Sequence, residues 1–210
     1  DEIFFTPDTA ACAKMACGAV ISSCKAVLNG TLKNAFALVR PPGHHADPDR
    51  SIGYCHINNV AIASQELLSQ KLVDRVMIVD WDIHHGNGTQ KHFYNNPNCL
   101  YFSIHGYNNA QFYPYSPEAY WDRTGAAGRN INVPWSEPGG LGDLDYLYVL
   151  ERLLIPAARE FDPQMIIVSA GFDAAVNDVG QCLVSPGGFA QMTRALMNFA
   201  DGKIVLVLEV

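Results

Sequence analysis

Three residues of this sequence could together hold a divalent ion: Asp82 and His84, two positions apart, and Asp173, far along the chain. On an extended segment residues i and i+2 project to the same side, so the Asp-x-His pair can face one ion. One imidazole and two carboxylates leave coordination positions open for water and substrate, as in a catalytic rather than a structural zinc site. The same donors also suit Fe(II), Co(II) or Mn(II). A lone Asp-x-His has a blander explanation, in which the aspartate caps a turn and the histidine packs against a sheet. Here that explanation leaves too much over. Asp80, His85 and the glycines Gly86 and Gly88 share the segment, and a His44-His45 couple stands at the end of another apolar run.

These residues need a scaffold that gathers them. Short apolar runs at Phe36–Val39, Val76–Val79, Leu100–Ile104, Asn130–Val133, Met165–Ser169 and Ile204–Leu208 read as strands. They alternate with helical patterns at about Pro7–Leu28, Asn59–Gln70, Gly88–Tyr94, Leu144–Phe161 and Gly187–Ala200. Runs that are apolar throughout imply burial on both faces, as in a parallel sheet covered by helices. The expected fold is α/β, a three-layer α/β/α sandwich with a mostly parallel sheet. In such sheets ligands sit beyond the carboxyl ends of the strands. The residues just past the runs are Arg40–His45, Asp80–Gly88, His105 and Ala170–Asp173, so titratable side chains collect where the fold would put a site. No internal repeat, low-complexity tract or linker divides the chain, and residues 1–210 read as a single domain.

The 210 residues are 49% apolar and 17% charged, enough for a sizeable core, and carry a net charge of −7. Tight binding to nucleic acid or an anionic membrane calls for a basic face, so neither is an expected partner. A locally acidic rim would suit cationic partners such as Lys-rich tails. Six cysteines show no C-x-x-C pair and no disulfide-framework spacing, so buried, reduced thiols in the cytosol or nucleus are expected. Cys12 and Cys17 near one end of a helix are a weaker metal-site alternative, because zinc would need two more soft ligands close by. No run of about 18 apolar residues marks a transmembrane helix.

The blocks Arg40–His45 (RPPGHH), Gly53–Asn58 (GYCHIN), Val79–Gln90 (VDWDIHHGNGTQ) and Ser169–Ala174 (SAGFDA) resemble, in order and spacing, the signature of the zinc-dependent histone deacetylases. The resemblance covers essentially all of the chain. Asn87 within HHGNG, together with GFDAA and VSPGGFAQMT, is similar to class II, nearest the class IIb tubulin-deacetylase branch. The resemblance implies the arginase/deacetylase fold and hydrolysis of the acetamide of N6-acetyl-lysine in proteins, with a histone tail or tubulin as substrate type. It implies that Asp82, His84 and Asp173 hold Zn2+, that His45 is the general base and later the acid for the lysine amine, and that His44 stays a charged electrostatic partner. Asp80 matches the residue paired with His44. Asn87 stands where class I enzymes place an aspartate behind His45, so His45 is expected to be less basic than with a carboxylate there. Tyr54 and Tyr113 match the aromatic pair that walls the substrate tunnel, and Gly53 and Gly171 match places of close backbone approach. A structural K+ would be held by Asp80, Asp82, His84, Ser103 and Ile104, partly through backbone carbonyls. The implied setting is cytoplasmic and/or nuclear, in chromatin and transcription regulation, with a corepressor-type complex as a possible assembly.

The sequence also departs from that pattern. The family continues after its last strand as L-E-G-G-Y, whose tyrosine binds the developing oxyanion, whereas this sequence ends at Glu209-Val210. Asp1–Thr6 is similar to a loop that follows further elements, and Glu2 sits where tubulin-deacetylase relatives carry a substrate-contacting serine. The expectation is a catalytic domain incomplete at both ends and a chain weakly active or inactive as it stands, since losing an oxyanion donor costs on the order of 100- to 1000-fold. One alternative is a non-catalytic, deacetylase-like binding module. A second is an acetylpolyamine amidohydrolase, which needs an acidic gatekeeper where Val176–Gln181 offers Val179 or Gly180, Asp178 being better explained as a structural carboxylate. A manganese hydrolase of the arginase type would need a second carboxylate-rich motif, and the sequence holds one metal's worth of ligands.

Overall fold

Val76–Asp80 is buried at every position and lies inside a six-stranded sheet. The computed structural model describes residue 3 and residues 5–209. Its strands are β1 Ala35–Ala37, β2 Val76–Asp80, β3 Cys99–Gly106, β4 Asn130–Trp135, β5 Met165–Ala170 and β6 Ile204–Leu208, in the spatial order β1-β6-β5-β2-β3-β4. Every neighbouring pair is parallel.

Successive side chains of β2 enter two different cores. Met77 and Val79 pack with Leu150, Phe161 and Leu196 on one face, while Val76 and Ile78 pack with Val20, Val60 and Leu67 on the other. Two buried faces are why the strand sequences are apolar without alternation. The first layer of helices is α4 Asp143–Val149, α5 Ile155–Phe161 and α6 Pro186–Leu196; the second is α1 Thr9–Leu28, α2 Asn59–Ser69 and α3 Asn87–Phe93. This is the α/β/α sandwich that the sequence implies, with a sheet that is parallel throughout the described strands.

Three boundaries differ from the sequence reading. The helix expected over Leu144–Phe161 is broken into α4 and α5 by a π-helical turn at Leu150–Leu154. Pro156 has no N–H and its ring presses on the carbonyl four residues back, which a widened turn relieves. The first strand pairs with β6 over Ala35–Ala37 and stops short of Val39, whose amide instead donates to the Ala37 carbonyl at 3.1 Å. Helix α6 stops at Leu196, and a separate 3-10 turn follows at Ala200–Gly202. Helix starts follow ordinary capping: Asn58 accepts from the Ala61 amide at 3.0 Å and Ser185 from the Gly188 amide at 3.1 Å.

One expectation needs correction. Helix α1 is 20 residues long and is apolar enough, by length and composition, to cross a membrane. Its buried stripe runs along Ala13, Ala16, Cys17, Val20, Cys24 and Val27, and the last three pack in the core that covers one face of the sheet. Lys25 ties its far end to Glu66 of α2 at 3.0 Å. The cysteines are all free thiols, five buried and Cys12 exposed.

The strand order creates the site. From β2 the chain builds outward through β3 and β4, then returns to place β5 on the other side of β2 and builds outward again through β6. Loops leaving β2 and β5 therefore part in opposite directions above adjacent strands, opening a crevice at their carboxyl ends.

Candidate active site

Two residues beyond β2 and three beyond β5, the diverging loops place Asp82 and Asp173 on either side of His84. The His84 ring Nδ1 lies 3.0 Å from Asp82 Oδ1 and 2.8 Å from Asp173 Oδ2. Ligand atoms from all three residues lie within 4.8 Å of one another. Among the described residues this is the group of His, Cys, Asp and Glu side chains able to hold an ion. Each carboxylate uses one oxygen to hold the loop after β2: Asp82 Oδ1 accepts from the His84 amide at 2.8 Å, and Asp173 Oδ1 reaches across to accept from the Ile83 amide at 2.9 Å. Asp82 Oδ2 and Asp173 Oδ2 are left buried without an aligned hydrogen bond, the short His84–Asp173 approach being an ion-pair contact.

Two carboxylates buried this close need positive charge between them. Burial, and then the charge of Asp82, push Asp173 up to about 6. Burial works against ionised Asp82 as well, yet His44 and His84 hold it well below the usual carboxylate range. His84 is also opposed by burial, but Asp173 and Asp82 face it and raise its pKa to about 9. The cluster thus draws a proton into the place where a divalent cation would stand. Orphaned oxygens, a mixed N/O donor set and only three protein ligands fit a zinc-type ion with open positions. Gly171 keeps that space free, because a Cβ there would run into Asp82 Oδ2.

The histidine couple arrives on the loop after β1, and both rings are buried. Glu209, the residue after β6, anchors this loop by accepting from the amides of Gly43 and His44 at 2.7 and 3.2 Å, and it also accepts from Ser169 Oγ at 3.1 Å. Burial pushes its carboxyl up to about 7. His44 Nδ1 lies 3.1 Å from Asp80 Oδ2, and its Nε2 lies 3.8 Å from Asp82 Oδ2. Burial disfavours the His44 imidazolium, but Asp82 and Asp80 outweigh it and hold the pKa well above the ordinary value. His45 goes the other way: burial, then the charge of His44, hold it well below. Its Nδ1 lies 2.9 Å from Asn87 Oδ1. Two rings 4.0 Å apart are therefore driven to opposite protonation states, a pattern that marks acid–base sites.

Aromatic rings line the approach. Tyr113 stands edge-on to His45 with centroids 5.0 Å apart, and Phe112 stacks on His84 at 5.4 Å. Gly53, at φ +56°, brings backbone against the couple; a Cβ there would strike the His45 ring and lie 2.9 Å from the Tyr113 hydroxyl. Tyr54 is 56% exposed and stands at the rim. Ser103 and Ile104 are buried on β3, and Ser103 Oγ is 2.8 Å from His105 Nδ1. His85, despite its place in the motif, is turned to Gln90 Oε1 at 2.9 Å and takes no part in the metal group. Glu2 and Val210 lie outside the described residues.

Four residues escaped the sequence reading of the site: Glu209 as the anchor of the histidine loop, Tyr101, which donates to Asp80 Oδ2 at 3.0 Å, Phe112, and Asp47, which accepts from the Asn87 amide at 3.2 Å. The sequence offers a weak signal for Glu209, a carboxylate directly after an apolar strand. Nothing in spacing points to the other three.

Comparison with known proteins identifies the family. A family model described as the histone deacetylase domain matches residues 1–209. The histone deacetylase clr3 of Schizosaccharomyces pombe is 48% identical over 100% of this chain and 31% of its own length. Histone deacetylase HDA1 of Saccharomyces cerevisiae is 44% identical over 100% of this chain and 30% of its own length. A rat protein, polyamine deacetylase HDAC10 (Rattus norvegicus), is 44% identical over 100% of this chain and 36% of its own length. The chain thus spans about a third of the curated relatives it matches. The crystal structure of the HDA15 HD domain superposes with a TM-score of 0.91 at 41% identity, covering 99% of this chain and 60% of that one.

Proposed function

The chain belongs to the histone deacetylase family and is class II-like, and from that premise we propose that it performs zinc-dependent hydrolysis of the acetamide of N6-acetyl-lysine in proteins. The observation that carries this reading is a three-ligand metal group beside two buried, adjacent histidines, one with its Nδ1 facing Asp80 and the other facing Asn87. Asp82, His84 and Asp173 would hold the ion. When bound, zinc would polarise the acetamide carbonyl and bring the pKa of a coordinated water toward neutrality.

The chain's own residues do the rest. Neutral His45, tied through Nδ1 to Asn87, keeps its other ring nitrogen for the proton of the attacking water and returns that proton to the departing lysine amine. His44, kept charged by Asp80 and Asp82, supplies fixed positive charge near the reacting atoms. Tyr113, Phe112 and the close backbone of Gly53 narrow the approach to a slot suited to the four-methylene stem of lysine, with Tyr54 at its rim. A structural potassium ion among Asp80, Asp82, His84, Ser103 and Ile104 belongs to the same proposal, supported by the hard oxygen donors that β2, the loop after it and β3 carry. So do a cytoplasmic or nuclear location, for which free thiols speak, and acetylated histone tails or tubulin as partners, with a corepressor-type complex as the assembly.

The relative named as a polyamine deacetylase gives a second reading its support. An acidic gatekeeper is not supplied at the matching stretch. Val179 is exposed, and a side chain at Gly180 would meet the Asp173 carbonyl at 2.6 Å and Ile83 Cγ1 at 3.1 Å. Assays of the full-length protein on an acetyl-lysine peptide and on acetylspermidine, with and without a chelator, test both readings. Chelator-sensitive turnover of the peptide, restored by zinc, is expected. Preference for acetylspermidine would favour the second reading, and no turnover by zinc-loaded protein would point to a binding module.

A further inference from the structure

Asp47 lies two residues beyond His45, with a side chain only 6% exposed. Its Oδ1 accepts from Asn87 Nδ2 at 3.2 Å, and its Oδ2 faces Arg50 Nε and Lys91 Nζ, each at 3.3 Å. Asn87 Nδ2 also donates to the His45 carbonyl at 3.1 Å, while Asn87 Oδ1 faces His45 Nδ1 at 2.9 Å. Asp47 and Asn87 share the wall of a cleft of about 460 Å³ with Arg50 and Lys91.

A primary amide has a donating end and an accepting end of nearly the same shape, so its neighbours decide which way it faces. Here Asp47 Oδ1 and the His45 carbonyl can only accept, which turns the amino end of Asn87 toward them. The carbonyl end is left for His45, and a neutral imidazole can meet a carbonyl only with an N–H. We propose that Asp47 is a positioning residue: it fixes the Asn87 amide and through it the ring tautomer of His45, with the proton on Nδ1 and the lone pair on Nε2. The His45 carbonyl favours the same orientation as a neutral acceptor, and Asp47 adds the stronger, charge-assisted bond. Asn87 replaces a carboxylate with a group that needs orienting, and Asp47 orients it. The consequence for catalysis rests on the reading of His45 as general base; the tautomer does not.

The test uses the full-length, zinc-loaded protein with ring-15N histidine, the His45 signals being assigned by their loss in His45→Gln. Wild type should show the Nδ1–H tautomer alone. Asp47→Ala should give a mixture of tautomers, with kcat about tenfold lower and KM unchanged, and Asp47→Glu should restore both. Asp47→Ser, too short to reach Asn87, carries the same test if alanine fails to fold. Arg50→Ala, on the other carboxylate oxygen, should leave the tautomer as it was. In an Asn87→Asp background, where no amide needs orienting, Asp47→Ala should cost nothing. Wild-type tautomer and kcat in Asp47→Ala, or equal losses in both backgrounds, would overturn the proposal. A shifted tautomer in a protein that deacetylates nothing would uphold the positioning and sink the deacetylase reading instead.

Discussion

Asp80 and Ser169 face each other as register partners across the parallel β2–β5 pair. Asp80 Oδ2 meets His44 Nδ1, and Ser169 Oγ meets Glu209, which grips the His44 amide, so both partners end on one histidine. Beyond that pair the register sets Asp82 beside Gly171, and the loop after β5 then brings Asp173 round close enough to share His84.

The metal group should announce itself through stability. Zinc at about 100 times its dissociation constant should raise wild-type unfolding free energy by about 2.7 kcal/mol. Asp173→Asn and His84→Ala should lose that gain, together with bound zinc measured by elemental analysis. An equal melting shift in wild type and both variants would reject the ligand assignment.

Gly171→Ala should weaken metal binding in a folded protein, since the new methyl occupies the space of Asp82 Oδ2. At least a tenfold weaker zinc affinity is expected, on the order seen when a ligand's surroundings are disturbed. Circular dichroism should show the fold retained. Unchanged zinc affinity would mean that the loop yields easily and that the glycine serves another purpose.

Asn87→Asp should make His45 more basic, because a carboxylate behind Nδ1 favours the imidazolium. The His45 pKa is depressed in the native protein, so the acid limb of kcat/KM should move to higher pH, by roughly one unit or more. A pH–rate profile that superposes on wild type would dismiss His45 as the titrating base.

Glu209→Ala should strand the buried amides of Gly43 and His44, costing about 1–3 kcal/mol for an unsatisfied donor. Because those amides carry the histidine couple, kcat should fall more than KM rises. Denaturant titration and steady-state kinetics together check this, and a stable variant with full kcat would remove Glu209 from the site.

His105 gives a stability change with pH that is independent of the metal group. Burial holds it at about 4, against an ordinary value of 6.5, so its contribution is complete above pH 6.5 and is lost as pH falls toward 4. That shift corresponds to roughly 3 kcal/mol. His105→Asn should flatten the acid limb of the stability profile by about that amount, after any constant cost of replacing its bonds to Ser103 and the Ala119 carbonyl. Parallel profiles for the two proteins would contradict it.

Much of this was open to reading in one dimension. The inner strand runs carry their burial in their composition, so six strands and their helices emerge from the sequence within a few residues, the edge strands β1 and β4 being only partly buried. Asp82, His84, His44 and His45 follow because they stand directly after those runs, where an α/β sheet exposes its loops. The missed site residues share a cause: each depends on a partner that the chain reaches only after folding. The split at Leu150–Leu154 follows from how Pro156 is accommodated within a packed helix. Asp47, Tyr101, Phe112 and Glu209 are ordinary residues until the fold sets them against Asn87, Asp80, His84 and the His44 amide. The protonation of the two neighbouring histidines likewise belongs to the folded protein. Side-chain type fixes what each ring can do, but the summed field of buried charges around it decides which ring carries the proton.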